Sequence, residues 1–135
     1  MQKETIKRVI KQISSHVMSG KSIMNMSLPC ELFEPRSVLE RIAMGFGYAP
    51  TFLVPGAKAK TALDQIKYVA AFVMGSGVLH TNNRKPFNPI LGETFECLIG
   101  GIPLYMEQIS HHPPISSFYM ETSDFKAYGN FSSHV

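Results

Sequence analysis

Hydrophobic positions recur along the 135-residue chain with two different periods. Ile6, Val9, Ile10, Ile13 and Val17 stand three and four residues apart, which lines them along one face of a helix and leaves the basic residues on the other. Gly20 and the Ser- and Met-rich stretch after it end that element. Residues 27–36, SLPCELFEPR, read as extended, because Pro29 and Pro35 bias the residues before them away from helix. A short helix is expected from Ser37, whose hydroxyl can cap it, with Val38, Leu39, Ile42 and Phe46 on its apolar side and Gly45, Gly47 and Pro50 closing it. After a Pro55-Gly56 turn, Thr61 and Asp64 resemble a capping box. They open a helix whose body, 66–74, is apolar nearly all round and is therefore expected to be buried. Residues 80–92 read as a loop of turn-formers and prolines.

From Glu93 the period falls to two. Phe95, Cys97 and Ile99 alternate with more polar neighbours, Gly100-Gly101 signals a hairpin, and Ile102, Leu104 and Met106 resume the alternation. Strands over 115–121 and 125–131, separated by Thr122-Ser123-Asp124, complete an antiparallel meander. Helices followed by strands predict an α+β chain without βαβ alternation, and so no doubly wound nucleotide-binding sheet.

Composition narrows the function classes. At 44% hydrophobic and 17% charged residues the chain is globular rather than disordered, with length for about one domain. A net charge of +3, with no arginine-rich run or finger spacing, argues against nucleic acid as a partner. The basic character is local: Lys3, Lys7, Arg8, Lys11 and Lys21 face only Glu4 at the N-terminal end. The first helix is thus either a surface helix docked on the core or a segment that lies on an anionic membrane or closes an apolar cavity. Cys30 and Cys97 are too few and too far apart for a disulfide scaffold and suit a reduced compartment. The apolar run 68–79 falls short of the ~20 residues a membrane span needs. No signal-peptide core precedes it, so a soluble, cytoplasmic protein is expected.

Familiar catalytic motifs are missing. Gly45-Phe46-Gly47 and Gly75-Ser76-Gly77 lack the third glycine and preceding strand of a phosphate loop, and no nucleophile elbow or zinc-protease motif occurs. Two polar clusters remain, Arg84 to Asn88 with Glu93, and Glu107 to His112 before Pro113-Pro114. Neighbouring histidines on a regular strand point to opposite faces, so His111 and His112 chelate a metal poorly unless the prolines distort the strand; His80, Glu93 or Glu107 would have to complete such a site. The imidazoles are alternatively satisfied structurally by nearby carbonyls. In the third reading they join Lys85 and Asn88 as donors for an anion, stiffened by Pro86, Pro89 and Pro113-Pro114. Glu93 is then expected to pair with Lys85 or a neighbouring base.

EQISHHPPISSF at 107–118 closely resembles the EQVSHHPP signature of oxysterol-binding proteins and their relatives. KPFNPILGETFE at 85–96 resembles that family's second block, and SLPCELFEPRSVLERI at 27–42 its segment after the lid. The resemblance implies a lid helix over 1–19 and, over 20–135, the N-terminal part of a larger lipid-binding β-barrel domain. It implies exchange of a sterol, or phosphatidylserine, for phosphatidylinositol 4-phosphate, without a catalytic residue, metal or cofactor. By motif position Lys85, Asn88, His111 and His112 are the head-group ligands and Glu93 a supporting member, while Ile6, Val9, Ile10, Ile13 and Val17 form the lid's apolar face over the lipid. A cytoplasmic protein peripheral at anionic membranes, with the endoplasmic reticulum and contact sites among its settings, follows. The alternatives are a phosphoinositide-sensing adaptor without transfer and a zinc-dependent hydrolase using the histidine pair. The later strands and C-terminal basic residues of the family's domain have no counterpart in these residues, so unpaired strand edges are expected.

Overall fold

The computed structural model describes residues 2–20, 29–79 and 84–132. The Ser- and Met-rich stretch after Gly20 and residues 80–83 of the expected loop, with His80, lie outside them. Helix α1 (Gln2–Met18) is followed by strand β1 (Phe33–Ser37), helices α2 (Val38–Gly45), α3 (Ala49–Ala57) and α4 (Ala62–Leu79), and strands β2 (Lys85–Phe87), β3 (Thr94–Ile99), β4 (Ile102–His111), β5 (Pro114–Glu121) and β6 (Lys126–Ser132).

The meander follows from the period-two pattern. β3, β4, β5 and β6 pair in that order, all antiparallel. Gly100 and Gly101, at φ of 57° and 85°, take the two left-handed positions of the β3–β4 turn and match its twist to the strands. Ile102, Leu104 and Met106 of β4 and Met120 of β5 are buried on the inner face, against Leu39, Ile42, Ala43 and Phe46 from α2 and the 3₁₀ turn after it. Leu39, Leu104 and Met120 are completely enclosed, each stabilising the fold by about 1.5–3 kcal/mol. The four-stranded sheet does not close into a barrel, and β3 and β6 are its outer strands.

Four features depart from the sequence expectations. β2, inside the expected loop, pairs with β1 in parallel, Phe33 opposite Lys85 and Ser37 opposite Phe87, with the two phenyl rings stacked at 4.8 Å. The helices between these strands form a crossover, so one short parallel pair does exist beside the meander. Second, Pro55-Gly56 is no turn but the end of α3. Pro50 stands in that helix's first turn, where a missing N–H costs nothing. Gly56 lets α4 approach, since a Cβ there would lie 2.8 Å from that of Tyr68. Third, α4 is only half covered: α2 and α3 shield one side, while Ile66, Val73 and Met74 on others are more than half exposed. Fourth, Ser37 occupies the N-cap position of α2 without its hydroxyl closing on the helix.

The capping box of α4 is formed. The Thr61 hydroxyl accepts from the Asp64 N–H at 3.1 Å and donates to the Asp64 carboxylate at 2.8 Å. A buried ion pair, Arg41 to Glu34 at 3.5 Å, ties α2 to β1. Helix α1 forms as its spacing predicts, but Ile6, Ile10 and Val17 are more than half exposed and Val9 and Ile13 partly covered. Arg8 reaches Glu31 at 3.7 Å. No helix among the described residues is long and apolar enough to cross a membrane.

Candidate functional site

β2 holds Lys85 beside β1, with its ammonium 5.9 Å from the centre of the Phe33 ring, within cation–π range. Asn88 follows the strand directly and is exposed. The chain then turns over 90–93: the Glu93 N–H donates to the Ile90 carbonyl at 3.0 Å, and the Glu93 carboxylate accepts from the Ile90 N–H at 3.1 Å. Among the described residues Glu93 makes no ion pair with Lys85. The turn points its carboxylate into its own loop, where it fixes backbone instead of a side chain.

His111 closes β4 and His112 stands in the two-residue turn to β5, with the His112–Pro113 peptide bond cis. The opposite-face rule for strand neighbours no longer applies at that end. The rings lie edge to face, centroids 4.6 Å apart, and both residues are exposed. The two imidazoles thus lie side by side at the surface.

The two sequence blocks meet at Gln108. Its N–H donates to the Glu93 carbonyl at 2.9 Å, and its carbonyl accepts from the Gly92 N–H at 2.8 Å. The loop that begins at Asn88 is thereby laced to β4 three residues before the histidine pair. The Gln108 side chain is almost wholly buried. It accepts from the Ser116 hydroxyl at 2.5 Å and donates to the Ser110 carbonyl at 2.7 Å, across an irregularity in the β4–β5 register between Gln108 and Ser110. Sequence reasoning missed Gln108 and Ser116, although a signal was present: glutamine occupies the next position of an inward series that runs Ile102, Leu104, Met106.

A second feature, also missed, is a hollow between the helices and the sheet. A cavity of about 550 Å³ between α3, α4 and the β5–β6 hairpin is walled by Phe46, Phe52, Val69, Phe72, Phe118 and Phe125. A neighbouring one of about 380 Å³ shares Phe46, Phe72 and Phe118 and adds Ile42 and Phe131. The rings of Phe46 and Phe118 touch at 4.9 Å between centroids. Volumes of this order, apolar with few polar groups, suit small-molecule binding. Burial pushes the Cys97 thiol up from its ordinary range, which disfavours the thiolate.

Helices packed on one face of an antiparallel meander, an aromatic-walled hollow and a donor-bearing pair of loops make an α+β architecture with room for a ligand. The chain belongs to the oxysterol-binding protein family, whose sequence profile matches residues 9–135. It is 41% identical to oxysterol-binding protein 9 of Dictyostelium discoideum over 126 residues, 91% of this chain and 29% of that protein. Its fold is similar to the crystal structure of the Osh1 ORD domain in complex with ergosterol, at a TM-score of 0.72 and 36% identity, covering 82% of this chain and 27% of that one. It is also similar to the Osh3 ORD from Saccharomyces cerevisiae in complex with PI(4)P, at a TM-score of 0.73 and 31% identity, covering 90% and 34%. The chain therefore spans about a third or less of these relatives.

Proposed function

We propose that the chain forms the N-terminal part of a lipid-binding domain. It shelters a sterol or phospholipid in the aromatic-walled hollow, holds a phosphatidylinositol 4-phosphate head group with Lys85, Asn88, His111 and His112, and serves the transfer of these lipids between membranes. The observation that carries this reading is the edge-to-face histidine pair laced through Gln108 to the Asn88–Glu93 loop. A phosphomonoester carries about −1.5 to −2 charges near neutral pH, and paired imidazoles, an ammonium and an amide are suited to it as charge-assisted donors. Support from relatives lies in the ergosterol complex of one similar structure and the PI(4)P complex of another.

Helix α1 fits the lid role by its chemistry: its apolar stripe is substantially exposed and basic residues stand on its other faces. A peripheral, reversible contact with anionic membrane follows. Donor-to-acceptor liposome transfer, measured for the chain and for a version without residues 1–19, tests the reading. Loss of retention or transfer on truncation supports the lid. Binding of phosphoinositide without transfer of any second lipid replaces transfer with sensing.

A further inference from the structure

We propose that Gln108, locked to Ser116, is the positioning residue that couples the two phosphate-facing loops, an inference that rests on the reading of the site given above. Ile102, Leu104 and Met106 set an apolar rule for the inner face of β4, and Phe118 and Met120 set it for β5. At the next rung both strands break the rule together: Gln108 stands opposite Ser116, and both are buried. Packing alone would be served by leucine and alanine at these positions. A buried amide persists at a cost unless its hydrogen bonds are made, and both ends of this one are engaged.

What they engage is specific. The amide N–H holds the Ser110 carbonyl, one residue before His111, across the local break in register. The amide oxygen is held by Ser116 on the strand that leaves the histidine turn. The same residue's backbone holds Gly92 and Glu93, at the end of the loop that begins at Asn88. Gln108 is thus bonded on one side to the chain carrying Asn88 and on the other to both strands flanking the histidines. Its side chain fixes the two strands that carry the histidines, and its backbone ties them to the loop from Asn88, without touching the ligand itself.

The decisive comparison is Ser116→Ala, Gln108→Leu and the double variant Gln108→Leu/Ser116→Ala, with Met106→Leu as a volume-conserving control in the same strand. Ser116→Ala leaves the Gln108 amide oxygen without its donor and Gln108→Leu leaves both the Ser116 hydroxyl and the Ser110 carbonyl without theirs, whereas the double variant removes the buried hydroxyl–amide pair and is expected to recover part of the lost melting temperature. Ring-to-ring NMR contacts between His111 and His112, and protection of the Gly92 amide, are read without ligand. Affinity is then read with vesicles containing phosphatidylinositol 4-phosphate. The inference predicts that all three variants weaken the ring contact and lose about ten-fold in affinity, as one or two lost hydrogen bonds imply, and that the double variant regains part of the stability but neither other property. Wild-type ring contact and affinity in the double variant would overturn it. Should wild-type protein not bind these vesicles at all, the functional reading falls, and the ring contact alone decides the positioning role. Should Gln108→Leu not fold, Ser116→Ala and the double variant decide it.

Discussion

At the scale of single residues, the proposed site turns on imidazoles that alternation along a strand would set apart and a turn brings together. As proposed donors to the phosphate, the two imidazoles are each expected to matter: His111→Ala and His112→Ala each weaken binding by roughly ten- to hundred-fold, the range for hydrogen bonds to charged groups. Vesicle binding measured for each variant beside the wild type checks both. Glu93 separates two roles. Its carboxylate accepts the Ile90 N–H, which glutamine can also do, so Glu93→Gln retains binding while Glu93→Ala loosens the loop and weakens it several-fold. A comparable loss in both variants would assign the acid a charge-pairing role instead. The proposed donors stood out in the sequence because their types suit an anion and their motifs carry the family resemblance. Gln108 was not, since its importance lies in what its buried amide reaches across the sheet.

At the scale of elements, local signals succeeded where the cause is local. Thr61 and Asp64 cap α4 as their spacing implies, and Thr61→Ala is expected to cost about 1 kcal/mol in thermal or chemical unfolding. The Thr61 hydroxyl, then Lys67, holds the Asp64 carboxyl below its ordinary range. A lowered folded value stabilises above the unfolded carboxylate range and is lost as pH falls through the folded one. The gap in melting temperature between wild type and Asp64→Asn should therefore narrow on acidification. The hairpin glycines and the strand alternation were readable for the same local reason. β2 was hidden because a three-residue strand with Pro86 at its centre exists only through its partner β1, some fifty residues earlier. α3 was hidden because Pro50 and Pro55 read as punctuation, although the first sits where a helix tolerates it. The apolar girth of α4 suggested burial, but the described elements cover only one side of it.

At the scale of the whole molecule, the fold is a helical layer and a sheet face held together by a core of Leu39, Phe46, Leu104 and Met120, with a hollow beside it. The Arg41–Glu34 pair anchors α2 to β1 from within. Truncating Glu34 to alanine leaves the buried guanidinium without its carboxylate and is expected to cost about 3–5 kcal/mol, measured by urea unfolding. The hollow could not be read from the sequence, because its walls gather phenylalanines from α3, α4 and the β5–β6 hairpin that share no local pattern. The family, in contrast, was legible from three short blocks, which the match over residues 9–135 extends across most of the chain. The central claim is that Lys85, Asn88, His111 and His112 hold one phosphorylated head group. Its most direct test is equilibrium binding of a short-chain, water-soluble phosphatidylinositol 4-phosphate to the chain and to the folded His111→Ala/His112→Ala variant. Saturable binding by the wild type and a loss of at least about ten-fold in the variant are expected; equal affinity in the two proteins would remove both histidines from the site.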